Sequence, residues 1–271
     1  MRSKSNRKHV WAAIFAVVFF GAAVSGPGQV FFGISPIRVE HEGKPGENLT
    51  DIFYVRNNAT APIRLKVYTE NWRLQEDGVP VFIGTQAVPY SCREWVKVNP
   101  QDFRLLPNEV KSVRYTIAIP PQASSAGYHA SVSFESVPDI SAEKKESRMI
   151  FTGKIAAAVY VKVGKVEPVA QVLDLKFLKD KGASYAVLVL KNQGKTHFRT
   201  QGGLEIYDAS GKKTLQAEIP NEVVLPESQR EVRCPLPKAL PAGAYKAVCR
   251  LDIGRAELLG FEKEWLIKDE K

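Results

Sequence analysis

The chain has 271 residues, 44% of them apolar and 25% charged, and carries a formal charge of +9. Its Lys and Arg residues are scattered among Asp and Glu rather than gathered into a stripe, which argues against nucleic acid as a partner. Length and apolar content suit two domains of ordinary size, each able to bury a core without staples.

The first element is an export segment. Arg2, Lys4, Arg7 and Lys8 form a basic start, and Val10 to Val24 is an apolar run containing one Gly. As a helix that run reaches only about 22 Å against about 30 Å of hydrocarbon, so residues 1–25 read as a signal peptide cut before Gly26, with an uncleaved anchor as the alternative. Cleavage removes four basic and no acidic side chains and leaves +5, with no stable membrane insertion expected afterwards. The expected location is the periplasm.

An extended stretch follows at Val30 to Val39. Pro36 inside it implies an edge strand or a switch between sheets. Strands are predicted at Leu49 to Arg56 and Ile63 to Trp72, joined by a turn at Asn57-Asn58, then at Val79 to Ile83, Glu94 to Val98, Lys111 to Ile119, Tyr128 to Glu135 and Arg148 to Val163. Pro138 to Lys145 is polar and lacks a period, so it reads as a loop. These elements make a first domain over residues 29–163.

A second domain over 168–268 repeats the scheme, with strands near Ala170 to Leu178, Ser184 to Lys191, Gly203 to Tyr207, Thr214 to Ile219, Glu231 to Leu236, Ala244 to Ile253 and Glu257 to Ile267. Asn192-Gln193-Gly194 mirrors the Asn57-Asn58 turn. Leu106-Pro107-Asn108-Glu109, followed by Ala126-Gly127-Tyr128, returns about 119 residues later as Leu225-Pro226-Glu227-Ser228, followed by Ala242-Gly243-Ala244-Tyr245. No helical period is sustained over three turns. The predicted fold is all-β, with two tandem immunoglobulin-like β-sandwiches after the signal peptide.

Three cysteines are few for an exported chain. If Cys234 and Cys249 face each other in a symmetric hairpin, an oxidising compartment permits a disulfide, and two buried free thiols fit the sequence equally well. Cys92 reads as a small buried hydrophobe. His41, His129 and His197 sit in separate contexts, and no zinc-binding helix motif, nucleophile elbow or phosphate-cradling loop occurs, so neither a metal, a cofactor nor an enzymatic activity is expected.

The opening Ile34-Ser35-Pro36-Ile37-Arg38-Val39, the turn Val55-Arg56-Asn57-Asn58 … Pro62 and the closing Phe134-Glu135-Ser136-Val137-Pro138 resemble the PapD-like periplasmic pilus chaperones, best over residues 30–163. The resemblance implies a chaperone for pilus or surface-fibre subunits that lends a strand to an incomplete sandwich, the mode known as β-augmentation. It implies a subunit and an outer-membrane usher as partners. The lending strand would be Arg148 to Val163, with Met149, Phe151 and Ile155 on one face, although the same segment reads equally as the last core strand. The family anchors the subunit's terminal carboxylate on an Arg and a Lys. Arg38 falls at the first position, whereas Ala156 falls where the Lys belongs, leaving Lys154 or Lys162 as substitutes, and Arg38 pairing with a local acid as the alternative. The competing functional reading is an exported immunoglobulin-like adhesion or cell-wall interaction protein without a chaperone cycle.

Overall fold

Alternation of inward apolar and outward polar residues builds the first module from ten strands: β1 (Phe32–Ser35), β2 (Arg38–Gly43), β3 (Asn48–Asn57), β4 (Ile63–Leu74), β5 (Pro80–Gly84), β6 (Val96–Asn99), β7 (Asp102–Leu105), β8 (Val110–Ala118), β9 (Ala126–Val137) and β10 (Lys154–Val163). These come from a computed structural model, which describes residues 31–137 and 152–268. The expected signal peptide, Met149 and Phe151 lie outside the described residues. One sheet has the order β1-β3-β8-β6, and the facing sheet has the order β2-β10-β9-β4-β5, with β7 added to β4. Between them Phe53 stacks on Tyr115 at 4.6 Å and meets Phe134 edge-on at 5.7 Å. Full burial of such rings contributes about 1.5 to 3 kcal/mol apiece.

The second module holds β11 (Ala170–Asp180), β12 (Ala183–Asn192), β13 (Phe198–Arg199), β14 (Gln201–Asp208), β15 (Lys213–Ile219), β16 (Val223–Val224), β17 (Gln229–Pro235), β18 (Gly243–Asp252) and β19 (Leu259–Ile267). Its sheets are β11-β12-β17 and β15-β14-β18-β19, with β13 and β16 as a short pair. The core contains Leu188, Leu190, Leu204, Ile206, Leu251 and Trp265, and the Trp265 indole donates to the Leu175 carbonyl at 2.7 Å. A single turn of 3-10 helix at Arg93–Trp95 is the only helix among the described residues. The fold is therefore all-β, two immunoglobulin-like sandwiches in tandem, and Phe31–Lys271 forms one compact unit.

The repeated phrase folds the same way twice. In each copy the turn closes on a backbone bond, Glu109 N to Leu106 O at 3.1 Å and Ser228 N to Leu225 O at 3.3 Å. Its third residue sits in the left-handed region, Asn108 at φ 62° and Glu227 at φ 56°. Each copy then ends in a tyrosine corner, the hydroxyl returning to the backbone four residues earlier: Tyr128 to Ser124 O and Tyr245 to Pro241 O, both at 3.1 Å. The mirrored Asn turns are also equivalent. Buried Asn57 donates to the carbonyls of Ala61, Leu105 and Leu106, and buried Asn192 to those of Thr196 and Val224.

One expectation is corrected. Cys234 and Cys249 do not face each other across a hairpin, because β17 and β18 belong to different sheets and the chain crosses the sandwich between them. Both are free thiols buried in the core, where desolvation pushes them up to about 12 and about 11 respectively. Cys92 is likewise free and buried.

Candidate functional site

Pro36 marks a crossing. β1 pairs with the end of β3, Phe32 opposite Asn57 through Ser35 opposite Tyr54; two residues later β2 runs parallel to β10 in the other sheet, Arg38 opposite Ala158 through Gly43 opposite Val163. A chain that covers one sheet edge along half its length and the other sheet edge along the rest leaves both half open. On β10 the open half is Lys154–Ala157, which pairs with β9 on its inner side and with no described residue on the other. The Ala158 N–H donates to Ile37 O at 3.0 Å, so by alternation the N–H and C=O of Lys154 and Ala156 point to the open edge. Unpaired backbone groups along a strand are a template for another strand.

The three cations singled out from the sequence are not brought together. Arg38 begins β2 beside this open edge, exposed, and pairs with Glu40 at 3.3 Å. Lys154 and Lys162 lie four positions to either side of Ala158, hence about 13 Å along the strand in each direction. Lys162 is engaged by Glu42 at 3.3 Å. Lys154 folds over its own sheet onto buried Glu70, which also accepts from Ser133, and its ammonium stands 4.4 Å from the Phe82 ring centroid and 5.7 Å from that of Tyr68. A Lys confined in this way does not reach the edge. Arg38 alone stands there, held only by an exposed ion pair of the weak kind. Ile155 faces inward and packs against the first core.

The second module seats against the outer face of the sheet containing β10. Trp72, Tyr160 and Leu225 form a small buried cluster, flanked by Leu74, Ala158 and Val223. Backbone bonds join the modules directly: Gly127 N to Lys195 O and Glu231 N to Glu76 O, both at 2.7 Å. A Cβ on Gly127 would come 2.9 Å from the Cα of Thr196, so this contact requires glycine. Arg199 reaches back to Glu40 at 3.2 Å and lies over the Tyr160 ring.

A cleft of 340 Å³ opens beside this junction, lined among others by Glu40, Glu42, Lys162, Tyr160 and His197. Its one Lys, Lys162, is paired with Glu42, and Glu40 adds a second carboxylate, so the cleft is not the purely cationic crevice that the carboxylate-clamp reading implies. His129 sits edge-on to Trp72 with its Nε2 3.2 Å from the Trp72 carbonyl, and His197 lies 4.3 Å from Tyr160. Burial lowers both imidazoles to about 4. Neither histidine nor Glu70 was marked out by sequence; His129 and Glu70 lie on the outward side of strands whose polar face is covered, and His197 lies in the turn before β13, none of which alternation alone discloses.

No family model matches the chain, and no curated protein matches it. Among solved structures it is similar to fimbrial chaperones. The class 5 fimbriae chaperone CfaA shares 16% identity over 86% of this chain and 98% of its own, with a TM-score of 0.49. A chain of the CsuC–CsuE chaperone–tip adhesion subunit complex from Acinetobacter baumannii shares 14% identity over 86% of this chain and 98% of that one, at 0.46. A chain of the Salmonella enterica SafA pilin–SafB chaperone complex shares 12% over 88% and 98%, at 0.43.

Proposed function

We propose that this protein is a periplasmic chaperone that holds an incomplete β-sandwich subunit by strand addition, without enzymatic chemistry. The observation that carries this reading is the edge of β10, half of it without a partner among the described residues, with the backbone groups of Lys154 and Ala156 turned to it and Arg38 at its closed end. A strand entering this gap in line with β2 and parallel to β10 ends where β2 begins. Its terminal carboxylate then meets the Arg38 side chain, which exchanges the exposed Glu40 pair for a charge-assisted bond. Lys154, tied to Glu70, and Lys162, tied to Glu42, take no part in this arrangement. The alternation of β10 sends Ile155 and Ala157 inward, so the subunit's own apolar groove would receive side chains from residues adjoining this edge. The sequence resemblance to pilus chaperones supports the same reading and points to a fimbrial or surface-fibre subunit as client, with an usher as the next partner.

Ala156→Pro is a selective test. Its N–H points away from the ladder with β9, so proline is tolerated by the fold yet removes an edge donor and blocks close approach. In co-expression with a small pilin-like subunit, Ala156→Pro is expected to abolish co-purification and Arg38→Ala to reduce it at least tenfold. Wild-type recovery of the complex from both variants overturns the strand-addition site.

A further inference from the structure

The face of the first module opposite the junction carries a different signal. Charges that are scattered along the sequence are gathered by the register of β1-β3-β8-β6. Arg56 lies beside Val110, Tyr54 beside Ser112 and Ile52 beside Arg114, while Asn99 adjoins Arg114 and Lys97 adjoins Thr116. Arg56, Arg114 and Lys97 are exposed, and among the described residues none of them has an acidic partner. Within these strands alternation supplies this outer face with no carboxylate: Asp51, the one acid in them, is exposed but takes the same side as buried Phe53 and Val55, opposite Tyr115. The outer face of β15-β14-β18-β19 is organised in the contrary way, each cation matched, with Lys213 and Arg250 on Glu205 at 3.1 and 2.8 Å and Lys246 on Glu262. Between the free cations stand Tyr54 and Val110, 52% and 54% exposed.

We infer that this sheet face rests on an anionic lipid surface. Unpaired Arg and Lys interleaved with an aromatic and aliphatic side chains suit the headgroup region, where the rings and methyls enter the interface and the cations meet phosphate. No helix among the described residues is long and apolar enough to cross a membrane. Each cation strengthens adsorption about fivefold at low ionic strength, and salt removes the effect. Nothing in this inference depends on the chaperone reading.

The test is co-sedimentation of the chain beginning at Gly26 with phosphatidylcholine vesicles, with and without phosphatidylglycerol. Binding is expected only with the anionic lipid, lost in high salt, and weakened at least tenfold by the pair Arg56→Glu and Arg114→Glu. Lys246→Glu with Lys268→Glu changes net charge by the same amount on the other module and is expected to bind within twofold of wild type. Circular dichroism checks that each variant is folded. Equal losses from the two pairs would show attraction by net charge alone and overturn the assigned face, as would equal binding to neutral vesicles. Preferential capture of soluble polyglutamate over the anionic vesicles would assign the face to an acidic protein and overturn the lipid inference.

Discussion

At the scale of single residues, the cost of burying titratable groups is concentrated where the two modules meet. His129 and His197 are neutral in the folded protein, surrounded by Trp72, Tyr160, Glu40, Arg199 and Lys162. Their folded values near 4 lie below the ordinary 6.5, so above pH 6.5 neither folded nor unfolded chain is protonated and stability is complete. As the pH falls from 6.5 towards 4 the unfolded chain takes up protons first, and folding free energy is lost. For His129, the more buried, the loss by pH 4 is about 2 to 3 kcal/mol. Urea titrations at pH 7 and pH 4.5 are expected to show this loss, and His129→Phe to flatten part of the slope. An unchanged slope in that variant would remove His129 from the account.

At the scale of elements, the two modules share a frame held by equivalent side chains. Asn57 and Asn192 each donate to carbonyls of two separate segments, at the point where one strand ends and a turn begins. Asn57→Ala and Asn192→Ala are each expected to destabilise by about 2 to 3 kcal/mol, because several buried acceptors lose their donor at once; chemical denaturation measures it, and a loss under 1 kcal/mol from either would deny the equivalence. Much of this frame was legible in the chain. The Leu-Pro turn and its following Tyr advertise themselves by repetition, and Pro36 within an extended run signals an edge strand or a switch between sheets, because proline cannot sit in a central ladder. The pairing of strands across the sandwich was not legible. Alternation tells which side of a strand is wet but not which sheet a strand joins, so the sequence left a disulfide between Cys234 and Cys249 and two buried free thiols equally open. The capture of Lys154 by Glu70 was hidden for a related reason: the two are 84 residues apart in sequence, and only the β4-β9-β10 order brings them together.

At the scale of the whole molecule, the junction decides whether two sandwiches behave as one body. Direct backbone bonds, the Trp72-Tyr160-Leu225 cluster and the Arg199 reach to Glu40 fix the second module against the first. Trp72→Ala removes the largest member of that cluster, a truncation of the kind that costs about 3 to 5 kcal/mol. Most of that cost falls on the contact rather than on either core. Calorimetry is expected to show one unfolding transition for the wild type and two for Trp72→Ala, whereas a single, merely shifted transition would mean the modules stay coupled through the backbone bonds alone.

The crossing at Pro36 has a metrical meaning as well. Its place along the chain fixes how many residues of β10 are paired by β2 and how many have no described partner, so under the proposed strand addition it would act as a ruler for the incoming strand. Moving it by two residues would lengthen or shorten the berth by a full side-chain repeat, about 7 Å. On the strand-addition reading, a short insertion ahead of Arg38, at the closed end of the berth, would sort clients by strand length.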